Sequence, residues 1–349
     1  MNMSRITIAS TPTIDRSRNA SAGDAAWGRR QQAVRPRLPT LARLALALLG
    51  VCGSAASAGA ADGNISLENL RIPRAQIRSG GPPKDGIPAL TDPQVISAAQ
   101  AESLAPTERV IGVSVQGEQR AYPLRILNYH EIVNDTLGGV PIAVTYCPLC
   151  DSAVVFRRKV QGQVLEFGVS GMLYQSNVLM YDRSHGVQSL WSQMAGRAIS
   201  GPFSGTRLVP VPVKLTSWGR WRKEHPATTV LGPQTGHRRR YQVNPYADYF
   251  RSPELMFPVA ATDPRLPPKS RVLGVVVGDE AKAYPLPDPN PERGMWQDNV
   301  GGRTLRLATA ADSGNIRLID PPKDVRIAYS LWFTWYAFHQ DTQVHSYPQ

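Results

Sequence analysis

The sequence predicts a β-rich α+β fold of two packed pseudo-repeat halves, each starting with a β-hairpin followed by a short helix and further strands. Three observations carry this. Residues 109–124 (RVIGVSVQGEQRAYPL) and 271–286 (RVLGVVVGDEAKAYPL) agree at ten of sixteen positions, which marks an internal duplication. Two copies are too few for a solenoid, so two related halves packed together are expected. Short β-branched and apolar runs alternate with turn signals. Finally, 29 Gly and 30 Pro in 349 residues divide the chain into many short elements.

The elements follow in order. Residues 1–61 read as a targeting segment, residues 62–105 as an irregular N-terminal arm, 106–260 as the first half and 261–349 as a shorter second half. In the first half, Val110, Val113 and Val115 lie in a strand that turns back toward Tyr122-Pro123. Arg125 to Thr136 suits a short helix closed by Gly138-Gly139. Strands are expected at Pro141–Tyr146, Ala153–Arg157, Val164–Val169 and Val178–Tyr181. Thr216 or Ser217 can cap a helix through Glu224, with Trp218 and Trp221 on one face. In the second half the repeat resumes at Asp298-Asn299-Val300-Gly301-Gly302, and Leu331–His339 is an aromatic helix or strand. The tryptophans of both segments are expected to pack in the core.

Charge and the N-terminus bound the function. The net charge is +12, but residues 1–43 hold eight arginines against Asp15 and Asp24, a net of +6. That leaves a mildly basic remainder without a nucleic-acid footprint; Arg238-Arg239-Arg240 reads as a solvated run. The basic stretch leads into an apolar run, Leu41–Val51, and then into small residues with Ala56-Ser57-Ala58 and Gly59-Ala60-Ala61 as cleavage candidates. This is the order of a secretory signal. A periplasmic or extracellular protein with no mature transmembrane span is expected. Val51 before Cys52 fits a lipobox poorly, which argues against lipoprotein anchoring.

Removing that segment leaves two cysteines, in Tyr146-Cys147-Pro148-Leu149-Cys150-Asp151. Apolar strands flank them on both sides, so the pair reads as a turn between strands rather than the start of a helix. The leading expectation is an envelope metal-binding protein, because two thiolates on such a turn can grip copper or zinc, with His130 as a further ligand. The same pair can cycle between dithiol and disulfide, or form a small structural disulfide in a non-catalytic binding module. A metal would need further ligands. His130 leads the candidates, seventeen residues before Cys147; Met172 and Met194 would suit Cu(I) but read as core. In the second repeat Cys147, Cys150 and His130 align with Ala310, Ser313 and Arg293, so the scaffold is duplicated and the cysteines are not. No phosphate-cradling loop, nucleophile elbow, HExxH or haem motif is present, so no nucleotide or haem cofactor is expected.

At these residues the chain resembles the bacterial and archaeal family catalogued as domain of unknown function 3179. The likeness runs through AYPLRILNYHEIVNDTLGGVPIAVTYCPLCDSAVVF, FGVSGMLYQSNVLMYDR and QSLWSQMAGRAISGPFSGTRL to WFTWYAFHQDT, nearly all of the mature chain. The resemblance implies an exported or envelope protein in which His130-Glu131, the CPLC turn and Ser170-Gly171 hold motif positions. Asp151 stands where the family pattern leads one to expect glycine. Glu131, Asp135, Ser170, Tyr174, Asn177, His185, Ser192 and Gln193 are candidate pocket residues around the cysteines. The partner expected is a small molecule or a metal ion.

Overall fold

The computed structural model describes residues 64–347 except Ser184, His185, Asp312 and Lys323. The targeting segment, Cys52 and His185 therefore lie outside the described residues. Within them the chain is β-rich with few helices, 12% helical and 41% strand, arranged in several sheets. No helix among the described residues is long and apolar enough to cross a membrane.

The first hairpin joins β1 (Arg109–Val115) to β2 (Glu118–Pro123), with Val110 opposite Pro123. Then comes α1 (Leu124–His130). It ends six residues earlier than expected. Glu131 takes a positive φ of 57°, and the β-branched pair Ile132-Val133 favours a strand. The chain continues as β3 (Ile132–Leu137) and β4 (Val140–Cys147), a second antiparallel hairpin. Gly138 and Gly139, with φ of 56° and 70°, make its two-residue turn instead of closing a helix; both angles favour glycine there.

A 3-10 turn at Pro148–Cys150 leads into β5 (Ser152–Arg157), which pairs back on β4 with Cys147 opposite Ser152. A separate sheet holds β6 (Phe167–Tyr174), β7 (Asn177–Asp182) and β8 (Leu190–Ser192). The expected strand from Val164 starts at Phe167, because Gln163-Val164 pairs with Lys159-Val160 in a small hairpin of its own. Next, β9 (Val213–Ser217) pairs with β1 and runs into α2 (Trp218–Glu224). Ser217 Oγ accepts from Arg220 N at 3.4 Å, the cap the sequence indicated. β10 (Thr229–Leu231) then lies parallel to β2. A long irregular stretch follows, broken by α3 (Ala247–Arg251).

The second hairpin pair consists of β11 (Arg271–Val277) with β12 (Glu280–Leu286), and β13 (Met295–Val300) with β14 (Arg303–Thr309). Between the hairpins stands a three-residue 3-10 turn, Pro291–Arg293, where the first half has α1. β15 (Arg326–Leu331) pairs with β11 and runs into α4 (Trp332–Phe338); β16 (Gln343–Val344) lies parallel to β12.

From an edge strand at Leu90–Thr91 the largest sheet runs β3-β4-β5-β15-β11-β12-β16, with Pro210–Val211 also paired to β5, so strands of both hairpin pairs share it. Its two faces feed two large cores. One holds Ile111, Val144, Tyr146, Leu273 and Tyr329. The other holds Cys147, Cys150, Trp191, Trp332 and Trp335. As expected, Trp218, Trp221, Trp332 and Trp335 are core residues, each almost fully buried.

Candidate functional site

Strand pairing carries the backbone to Cys147, and Pro148 starts the 3-10 turn that brings Cys150 back beneath it. The two sulfurs stand 3.4 Å apart as free thiols, and both are buried. Cys147 S–H points at Cys150 Sγ, and Cys150 S–H at the carbonyl of Ser176, 3.1 Å away. That carbonyl comes from the β6–β7 turn, where Gln175 and Ser176 both have positive φ.

Asp151 closes the turn in the left-handed region, φ 46°, a conformation glycine adopts without strain. This accounts for the glycine expected there. Here the carboxylate is held instead by four bonds. Arg109 donates twice, at 2.9 Å each, Arg271 Nε donates at 2.7 Å and Tyr146 O–H at 2.8 Å. Burial would raise its pKa, but the two guanidinium groups outweigh that and hold it below the ordinary carboxylate range. Arg109 opens β1 and Arg271 opens β11, so one carboxylate ties the starts of these two strands together.

Glu131 sits where α1 meets β3, one step along from the Ile132–Thr145 pair. Its carbonyl accepts from Tyr146 N at 2.7 Å, which puts it next to Cys147. The side chain is buried, and among the described residues its carboxylate accepts no hydrogen bond. Burial pushes its pKa well up, and the neighbouring Cys147 raises it further. The Cys147 thiol is likewise pushed well above its usual value, first by burial and then by Cys150. Tyr246 and Tyr249 cover the pair from the irregular stretch. Burial raises both phenols, with charges on Glu131 and Cys147 adding to Tyr246 and those on the cysteines to Tyr249. Tyr249 O–H donates to Leu149 O at 2.9 Å, and Ser176 Oγ to Phe257 O at 2.8 Å. These bonds clamp the stretch over the turn.

His130 faces elsewhere. Its Nδ1 lies 2.7 Å from Pro88 O, which can only accept, so Nδ1 carries the hydrogen. Nε2 then accepts from Tyr241 O–H at 2.6 Å. Burial lowers its pKa to about 4, so the ring is neutral at pH 7. Among the described residues, no three His, Cys, Asp or Glu side chains gather into a group able to hold a metal ion.

The other candidates scatter. Asn177, Gln193 and Ser192 do lie in the buried polar layer beside the turn. Gln193 Oε1 accepts from Ser152 Oγ (2.7 Å) and Asn177 Nδ2 (2.8 Å), and its Nε2 donates to Thr145 Oγ1 (3.1 Å). Ser192 Oγ accepts from Ala195 N at 3.3 Å. Ser170 donates to Leu179 O at 2.5 Å, bracing the bulge in β6. Asp135 is taken up by Arg120 at 2.6 Å and by Tyr122 O–H at 2.7 Å. Tyr174 packs edge-on against Phe338. Sequence reasoning missed Arg109, Arg271, Tyr246 and Tyr249. The two arginines had a signal, since each is the first residue of one repeat copy.

Neither the curated proteins nor the solved structures contain a match to this chain. A family model does match over residues 84–326, more than half of the sequence, and takes in the CPLC turn, Glu131 and both arginines that hold Asp151. The chain therefore belongs to the family described as protein of unknown function (DUF3179).

Proposed function

We propose that the protein is a thiol–disulfide redox protein working through Cys147 and Cys150. The observation that carries this reading is two free thiols 3.4 Å apart across one 3-10 turn. They need close only to about 2.05 Å to bond. In the proposed step the Cys147 thiolate attacks a disulfide R–S–S–R′, forming a mixed disulfide and releasing R′–S⁻. Cys150 loses its proton, attacks Cys147 Sγ and releases R–S⁻. Two electrons pass from the dithiol to the substrate disulfide, and the two thiol protons end on the released thiolates. Burial and the neighbouring Cys147 make Glu131 resist carrying a negative charge, and burial and Cys150 do the same for Cys147. Because the Cys147 pKa is raised, its thiolate fraction is small at pH 7 and grows as pH rises.

The test is equilibration of the full chain in glutathione buffers of graded potential, followed by acid quench, alkylation and mass measurement. The expected result is a cooperative loss of two hydrogens, absent in Cys147→Ser and Cys150→Ser. Alkylation of the native protein should quicken as pH rises past the ordinary thiol range. A pair that never oxidises while folded sinks the proposal.

A second reading keeps the pair as a clasp for a soft cation such as copper or zinc. The two sulfurs and the Ser176 carbonyl converge on one point, which favours it. Bringing His130 in as third ligand would require its ring to leave Pro88 or Tyr241. Elemental analysis of protein purified reduced and metal-replete separates the readings. One metal per chain, lost in Cys147→Ser, selects the clasp.

We also infer that the halves, 106–260 and 261–349, descend from one duplicated unit. The matching hairpins and the matching Trp helices support this. The basic and apolar order of residues 1–61 supports export, which fractionation of cells expressing the full chain would check.

A further inference from the structure

A cavity of about 220 Å³ lies against Asp151, opening beside the starts of β1 and β11. Among its described lining residues two guanidinium groups, Arg109 and Arg271, face the single carboxylate of Asp151. One positive charge is therefore left over. Arg109 commits both terminal nitrogens to Asp151. Arg271 gives only Nε, is half exposed, and keeps two terminal nitrogens that bond to no described residue. Ser330 supplies an independent observation. It lines the same cavity, is 2% exposed, and its hydroxyl has no hydrogen-bond partner among the described residues. A buried hydroxyl left unpaired costs free energy unless something fills the place. The remaining wall combines Leu215, Val272, Leu286 and the ring of Tyr329 with polar residues that include Thr107, Thr216 and Asn315.

We propose that this cavity binds a small organic anion. Its carboxylate or phosphate group is held by Arg271 and Ser330, and its apolar body lies on Leu215, Val272, Leu286 and Tyr329. A guanidinium with free terminal nitrogens suits an oxyanion, which it can engage with two hydrogen bonds. The site does not use the thiols, so it stands apart from the redox proposal.

Calorimetric titration of the full, reduced chain at fixed ionic strength tests it. The probes are benzoate and phenyl phosphate, which carry both features, acetate and inorganic phosphate, which lack the apolar body, and benzyl alcohol, which lacks the charge. Benzoate or phenyl phosphate should saturate at one per chain, about ten-fold tighter than the probes missing a feature. Saturation by benzoate alone assigns a carboxylate; saturation by phenyl phosphate alone assigns a phosphomonoester. Arg271→Gln should weaken binding about ten-fold or more and Ser330→Ala about three-fold or more. Arg303→Gln, which removes a surface charge elsewhere, should leave it unchanged. Should Arg271→Gln fail to fold by circular dichroism, Arg271→Lys and Ser330→Ala decide the matter. The proposal is overturned if neither ring-bearing anion saturates, if benzyl alcohol binds as well as they do, or if the Arg271 and Ser330 variants bind like the parent.

Discussion

In the first half Trp221 lies over Gly112, gives its N–H to Thr228 Oγ1 at 2.9 Å and stacks on His225 at 4.1 Å. In the second half Trp335 lies over Gly274, gives its N–H to Thr342 Oγ1 at 2.9 Å and stacks on His339 at 4.2 Å. The ends of the second hairpins differ as sharply as these agree. β4 runs into the thiol pair and Asp151. β14 runs into a plain turn in which Gly314 N bonds to Ala310 O at 2.7 Å. The packing device is thus present twice and the chemical device once. Scaffold and chemistry can therefore be perturbed separately.

The strongest way to break the comparison is at Asp151, which holds the first residues of both β1 and β11. Asp151→Ala takes the shared acceptor from the half-buried Arg109, from Arg271 and from the buried Tyr146 hydroxyl, and should cost about 3–5 kcal/mol, read by urea denaturation. The pH dependence has a definite sign. A carboxylate whose folded pKa is depressed contributes stability above its unfolded pKa, near 4, and loses it as pH falls through the folded value. The parent should lose stability below about pH 4, and Asp151→Asn should lack that component.

A lesser but paired effect is expected at the glycines. A Cβ on Gly274 would stand 2.1 Å from the Trp335 ring, and one on Gly112 would stand 2.3 Å from the Trp221 ring. Each Gly→Ala change should cost about 3 kcal/mol by overpacking. A loss at one site only would show that the two modules carry unequal loads. Trp221→Phe and Trp335→Phe should each cost about 1–2 kcal/mol, from lost ring contact and the abandoned threonine bond. The smallest stability effect belongs to Cys147→Ser, a near-isosteric change costing about 1 kcal/mol. The same change should abolish the oxidation step, so stability and redox readouts part company there.

Much of this was readable in advance, for physical reasons. Both first hairpins and the Ser217-capped Trp helix follow from local periodicity and capping, whereas Leu331–His339, with no side-chain cap, reads equally as helix or strand. The strand-flanked CxxC turn follows from the apolar runs on either side of it. What escaped reading depends on distant partners. The early end of α1 rests on the left-handed Glu131, beyond which the chain pairs with β4. His130 is close to the cysteines in sequence, yet it turns toward Tyr241, 111 residues away. Asp151 stood out only as a departure from a pattern, because its partners lie 42 and 120 residues off.

The last separation also governs the order in which the growing chain can settle. When Asp151 has been made, Arg109 is already present, but Arg271 comes 120 residues later. The strand β15, which lies against β5, comes later still. Until then the carboxylate has one cationic partner, and the dithiol turn lacks the tyrosine cover supplied by residues 246–249. The nascent protein therefore passes through a period in which its two thiols lack the tyrosine cover that the finished fold places over them. The thiol pair is thus more exposed during synthesis than after Tyr246 and Tyr249 have closed over it.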